Sequence, residues 1–262
     1  MQVSRALLFM IFLAPFSDLE IQVSREGWGK ADARDIEKVL KSAMKQLQPY
    51  FGDKDFKPIV VEHSSRGPRT LFKKGPRKEI HIQLKVTDTR WAQFAFQFSH
   101  ELGHVLCNYR EGKNPNQWFE EALCETVSLF CLRSMSEEWE HNPPYPGWKM
   151  YASSLKKYAV KRLNDFKLPA QTTLVTWYQK NETLLRQNPH LREKNGAVAA
   201  ALLPLFEKHP QRWQAISYLN TKKPTKTQSF KKYIQTWYQQ SPQKHKKFIV
   251  RIGTLFGITL EE

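Results

Sequence analysis

His100-Glu101-Leu102-Gly103-His104 has the form H-E-x-x-H. Two histidines four apart on a helix differ by about 40° of rotation and one turn of rise, so both imidazoles can reach one metal ion. Glu101 falls off that stripe and is free to accept a proton from a metal-bound water. Five residues therefore offer two ligands and a general base on one rigid element. The same letters also arise in helices where they are only a solvated charged turn. Here Trp91, Phe94, Phe98, Leu102 and Val105 follow the helical period and define a buried face beside the histidines. Asp88 stands where an N-cap would stand.

A catalytic zinc needs a third protein ligand and an open fourth position. The first helix should break at Glu111-Gly112-Lys113-Asn114-Pro115. A second should begin with Asn114 as its cap, Pro115 in the first helical position and Gln117 two further on. Helices joined by a short loop pack antiparallel. That fold-back returns Glu120, Glu121 and Glu125 beside the histidines. Glu121 and Glu125 share a face, and Glu120 lies about 100° away. The spacing points to Glu121 as the ligand, with Glu120 its rival. Glu125, one turn deeper, suits a carboxylate that accepts a hydrogen bond from a ligand histidine and fixes its ring. An acidic first turn complementing the helix dipole also accounts for Glu120. It does not account for Glu125 in the middle of an apolar helix.

With Glu121-Ala122-Leu123-Cys124-Glu125 following the histidine motif, residues 79–130 resemble the gluzincin metallopeptidases, the thermolysin-like group. The resemblance implies that His100, His104 and Glu121 bind Zn2+, that Glu101 is the catalytic base and that Glu125 supports a ligand from outside the coordination sphere. Two features depart from that pattern. The interval between His104 and Glu121 is slightly short, and the Asn common before the ligand Glu is here Glu120. In gluzincins an edge strand above the zinc helix pairs with the extended substrate. The alternating segment Glu79–Leu84 resembles that edge, although an ordinary inner strand alternates in the same way. His81 within it reads as a surface residue.

The expected fold class is α+β. A small α/β part over residues 18–110 would carry an edge strand over the zinc helix, and a mostly helical part over 111–262 would follow. Together they would form one metallopeptidase-like domain. Pro58–Glu62 reads as a second strand. Segments near 149–164, 171–187, 192–208, 210–219, 227–240 and 243–256 have helical apolar spacing with Pro or Asn-Pro breaks between them. The stretch 220–226 reads as an exposed basic loop. Residues 1–17 read as a signal peptide, one charge followed by the apolar run Ala6 to Phe16, too short to span a bilayer. A first buried strand is the other reading of that run. The signal reading implies export, periplasmic or secreted, rather than a cytoplasmic location.

Cys107, Cys124 and Cys131 make an odd count, which excludes a pure disulfide framework. Cys107 and Cys124 should lie close together as buried thiols beneath the site. No C-x-x-C, G-x-S-x-G or phosphate-binding glycine loop is present in the sequence. Net charge is +16, and basic clusters interleave with Phe230, Tyr233, Trp237, Tyr238 and Phe248. Such a surface can attract nucleic acid or an anionic envelope surface. Helical spacing instead sends those aromatics to the core, leaving a solvated basic face. The function expected is zinc-dependent hydrolysis of peptide or protein substrates. A nucleic-acid-binding protein and an inactive zinc-braced binding module are the alternatives. The gluzincin resemblance implies a Tyr or His from the helical part as oxyanion stabiliser, for which Tyr145, Tyr151 and Tyr158 are candidates, each of which also reads as a core or surface residue.

Overall fold

The computed structural model describes residues 20–52 and 56–261, so the signal-peptide reading lies outside the described residues. The chain opens with β1 (Ile21–Val23), which crosses through α1 (Ala33–Lys45) to the parallel strand β2 (Ile59–His63). A hairpin-like excursion through β3 (Arg69–Thr70) leads to β4 (Ile80–Leu84), parallel to β2 and antiparallel to β3. The strand order is β1-β2-β4-β3. Ile59 and Val61 on β2 register against Ile80 and Ile82 on β4, and all four are buried.

The order corrects one expectation. The segment at 79–84 is an inner strand, and the edge over the histidine helix is the two-residue β3. Alternation reports which face of a strand is buried. It does not report whether both flanks find hydrogen-bonding partners, so the pattern at 79–84 could not separate an edge from an interior.

Helix α2 (Trp91–Leu106) carries the histidines and α3 (Gln117–Trp139) the glutamates. Contacts run from His104–Glu120 through Gly103–Cys124 to Ser128, whose hydroxyl donates to the Phe96 carbonyl, so the pair is antiparallel as expected. Two caps differ from expectation. Asp88 has a left-handed backbone (φ +59°) and accepts from the Lys30 N–H, and Arg90 takes the α2 cap position. The α3 helix starts at Gln117. Asn114 caps a turn ahead of it: its side-chain oxygen accepts from the Asn116 N–H and its carbonyl from the Gln117 N–H. Pro115 belongs to that turn rather than to the helix.

The first turn of α3 is anchored by aromatic packing. Trp118 and Phe119 are fully buried against Phe230 and Phe256, and Trp118 also stacks on Tyr178. This cluster fixes the rotation of the turn that carries Glu120 and Glu121. Gly103 lies directly over Cys124: a Cβ there would stand 2.9 Å from both its Cα and its Sγ. Cys107 and Cys124 hydrogen-bond to each other, and all three cysteines are buried and free.

The remainder is helical: α4 (Ala152–Asp165), α5 (Leu174–Gln187), α6 (Arg192–Lys208), α7 (Phe230–Gln240) and α8 (Gln243–Leu255). The segment expected at 210–219 is a 3₁₀ helix, Pro210–Tyr218. The fold is thus α+β, a small four-stranded sheet followed by a mostly helical remainder. Phe230, Tyr233, Trp237, Tyr238 and Phe248 are all buried, so they offer no stacking surface beside the basic clusters. Among the described residues no helix is long and apolar enough to cross a membrane.

Candidate metal centre and cleft

Helical spacing on α2 brings the two imidazoles together, with ring centroids 5.2 Å apart. Glu121 faces both. Its carboxylate oxygens lie 3.2 Å from His100 Nε2 and 3.7 Å from His104 Nε2. Glu120, next to it, lies beneath His104, with its Oε1 2.7 Å from His104 Nδ1. Its other oxygen accepts from the Asn220 side-chain amide (2.7 Å), and the Tyr233 hydroxyl donates to Asn220 Oδ1 (2.7 Å). A buried chain therefore runs Tyr233–Asn220–Glu120–His104.

Glu125 stands differently from expectation. Among the described residues it makes no hydrogen bond to either histidine; that contact belongs to Glu120. The packing of α3 turns Glu125 toward the start of α6, where Arg192 Nε lies 3.4 Å from its Oε1. Its Oε2 is buried with no hydrogen-bond partner. Glu125 acts on His100 through space, as a nearby negative charge.

Glu101 is placed by the edge strand. The Thr70 hydroxyl lies 2.9 Å from its carboxylate and 3.0 Å from its carbonyl oxygen. His190, on the loop before α6, is largely exposed and brings Nδ1 to 3.3 Å from Glu121 Oε1.

Electrostatics follow from four carboxylates in a small buried volume. Glu101, Glu120, Glu121 and Glu125 are all under a tenth exposed. Burial alone would lower the pKa of His104, but the bond to Glu120 and the charges of Glu121, Glu120 and Glu101 raise it to about 10. His100 is raised against its own burial by the bond to Glu121 and the charges of Glu125 and Glu121. Burial opposes ionisation of Glu121, yet its bonds to His100 and His190 hold it well below the ordinary carboxylate range. His190 is raised by the bond to Glu121, which outweighs its partial burial. Burial, with a smaller contribution from the charge of Glu101, pushes the Tyr109 phenol up to about 12. Protons on the histidines thus offset negative charge that a divalent cation would also offset.

The donors present fit a metal ion. One donor atom each from His100, His104 and Cys124 lie within 4.8 Å of one another, a mostly buried group able to hold an ion. Glu121 adds its carboxylate to the same histidines. Cys124 is held as a thiol, because burial and the bond to Cys107 raise its pKa well above the ordinary value. Glu121 lines the open cleft above the histidines, whereas Cys124 does not.

That cleft holds about 550 Å³ and brings together all five expected site residues, His100, Glu101, His104, Glu121 and Glu125. Its walls are residues 68–72, the loop 109–114, His190 and Arg192, and the stretch around Asn220 and Lys223. Tyr145, Tyr151 and Tyr158 do not line it. Tyr145 packs on Trp148, the Tyr151 hydroxyl accepts from the Ala92 N–H, and Tyr158 packs edge-on against Phe96. Tyr109 and His190 occupy the cleft instead. The stretch 221–226 is a largely exposed loop as expected, but Asn220 at its start is buried. His190, Arg192 and Asn220 come from segments far along the chain from the histidine motif and share no pattern with it, so local spacing carries no sign of them.

No protein-family model, curated protein or solved structure matches the chain.

Proposed function

We propose that the chain is a zinc-dependent metallopeptidase whose ligands are His100, His104 and Glu121. The observation that carries the reading is the carboxylate of Glu121 set against both Nε2 atoms at the floor of an open cleft, with Glu101 beside them. Imidazole and carboxylate donors suit zinc better than magnesium or calcium, which prefer all-oxygen shells. When bound, zinc would supply a lowered pKa for a coordinated water and polarisation of the scissile carbonyl.

The remaining roles belong to side chains. Glu101, oriented by Thr70, takes the proton of the attacking water and passes it to the leaving amine. Glu120 holds His104 in one tautomer and orientation through Nδ1, leaving Nε2 for the metal. His190, raised toward its protonated form and exposed at the cleft, is placed to donate to the developing oxyanion.

The test pairs metal analysis with a peptide digest. Purified protein should carry about one zinc per chain, and a chelator should abolish cleavage that added zinc restores. Metal-free protein that cleaves peptides equally well would overturn the reading.

A further inference from the structure

Floor and mouth of the cleft carry charge differently. At the floor every carboxylate is engaged: Glu101 by Thr70, Glu120 by His104 and Asn220, Glu121 by His100 and His190, Glu125 by Arg192. At the mouth Arg69, Arg110, Lys113 and Lys223 are exposed, and none of them makes an ion pair among the described residues. Neutral partners hold two of them. Arg69 donates to the Gln83 side-chain oxygen (2.6 Å), and Arg110 to the carbonyls of Asn220 (2.6 Å) and Thr221 (2.9 Å). These bonds aim the guanidinium groups without neutralising them. Lys223 lies over Gly112 on the same wall. Glu111 is the one acid among the described residues lining this rim.

Two further features share that mouth. The outer flank of β3 is a sheet edge, able to pair with an extended backbone. Phe72, two residues beyond it, is half exposed and stacked on Tyr109 with ring centroids 5.4 Å apart. Lys73 and Lys74, beyond the end of the strand, are exposed cations.

We propose that the cleft selects an extended polypeptide segment rich in aspartate and glutamate, with an apolar side chain seated on the Phe72–Tyr109 shelf. The assignment rests on the metallopeptidase reading for the fate of that segment. Acidic side chains flanking a neutral centre match cations at the rim around an acidic floor. A uniformly charged phosphodiester chain would lay phosphates over the four carboxylates, and the aromatics of the basic C-terminal helices are buried, so they offer its bases no stacking surface. Attraction between exposed rim charges and a docked peptide would be screened over ~8 Å at physiological salt, so its effect is salt-dependent.

The experiment measures binding of three labelled peptides of equal length to Glu101→Gln protein: acidic, neutral and lysine-rich, each with one apolar residue. The acidic peptide should bind roughly tenfold tighter than the neutral one at low salt, and added salt should erode that advantage. Lys113→Glu with Lys223→Glu should remove or reverse the preference while metal content stays unchanged. Arg69→Gln, a milder neutralisation, should reduce it in the same direction if the double variant folds poorly. Binding indifferent to peptide charge, or tighter binding of the lysine-rich peptide, overturns the proposal. So does displacement of the acidic peptide by an oligonucleotide of equal charge. Selective binding without cleavage by the unsubstituted protein keeps the acidic-peptide assignment and removes the peptidase. Cleavage without charge preference does the reverse.

Discussion

Helices α2 and α3 meet at the same cleft but house their ionisable groups in different ways. On α2 the histidines keep a strip of exposure, 17% and 14% of their side chains, and Glu101 is oriented by a neighbouring strand. The α3 helix is buried around most of its circumference, so little of Glu120, Glu121 and Glu125 is open to water. Each must take a partner from elsewhere, because an unpaired buried carboxylate is costly. Besides the α2 histidines that meet Glu120 and Glu121, those partners are Asn220, His190 and Arg192, all from the helical remainder. The pairing of the two imidazoles is thus local to α2, whereas the partners of the glutamates are set by distant segments.

The largest expected effect tests the α2 side. Glu101→Gln should lower peptide hydrolysis by ~10²–10⁴-fold while metal analysis shows unchanged zinc; undiminished turnover would remove Glu101 from the chemistry. Next comes the ligand on α3. Glu121→Gln should lose most of the metal and Cys124→Ser should keep it, as read by equilibrium dialysis. The opposite pattern would place the ion on the His/His/Cys group. The neighbouring glutamates sharpen the comparison further. Glu120→Gln should weaken metal binding by ~10–100-fold through His104, and Glu125→Gln should weaken it less, since it holds no histidine ring. Equal losses would erase the distinction drawn between them.

A smaller effect concerns pH in chelated protein. The folded pKa of His104 is about 10 against an ordinary 6.5. Its pairing therefore stabilises the fold fully below pH 6.5 and fades as pH rises through about 10. Glu121 is depressed from an ordinary 4.5, so its contribution is present above that value and lost as pH falls. Chelated protein should unfold at lower denaturant concentration at about pH 9 than at about pH 6. Metal-loaded protein, whose histidines are already deprotonated, should show much less of this alkaline loss. An identical alkaline loss with and without metal would place its origin outside the histidine cluster.

What the sequence alone makes legible follows the same division. The helix from 91 to 106 is legible because one buried face repeats every three to four residues; the one from 117 onward, buried nearly all round, is legible from the Gly112 and Pro115 break before it. The proximity of Cys107 and Cys124 follows from the antiparallel pairing. The edge strand β3 is not legible, since two residues carry no period. Asp88 has the position of a cap, but its oxygen serves the Lys30 N–H, from a turn far back in the chain. Glu120 rather than Glu125 meets a histidine ring, and the rotation of α3 that decides this is held by the aromatic cluster around Trp118 and Phe119, assembled from α5, α7 and the chain after α8. Asn220 looks like a loop residue because its neighbours are basic; only the fold buries it against Glu120.

Gly103, within the histidine motif, has a consequence for how closely the ligands can gather. Its missing side chain lets the α3 backbone at Cys124 come to where a methyl group would otherwise stand. The helix axes are held at that separation by an absence, and His104 and Glu121 inherit it. Gly103→Ala would work as a shim: it would push α3 outward by a fraction of an ångström, widen the gap a metal must bridge and loosen its grip, without altering a single donor atom. The gauge of the centre is therefore kept by the residue of the motif that has no side chain at all.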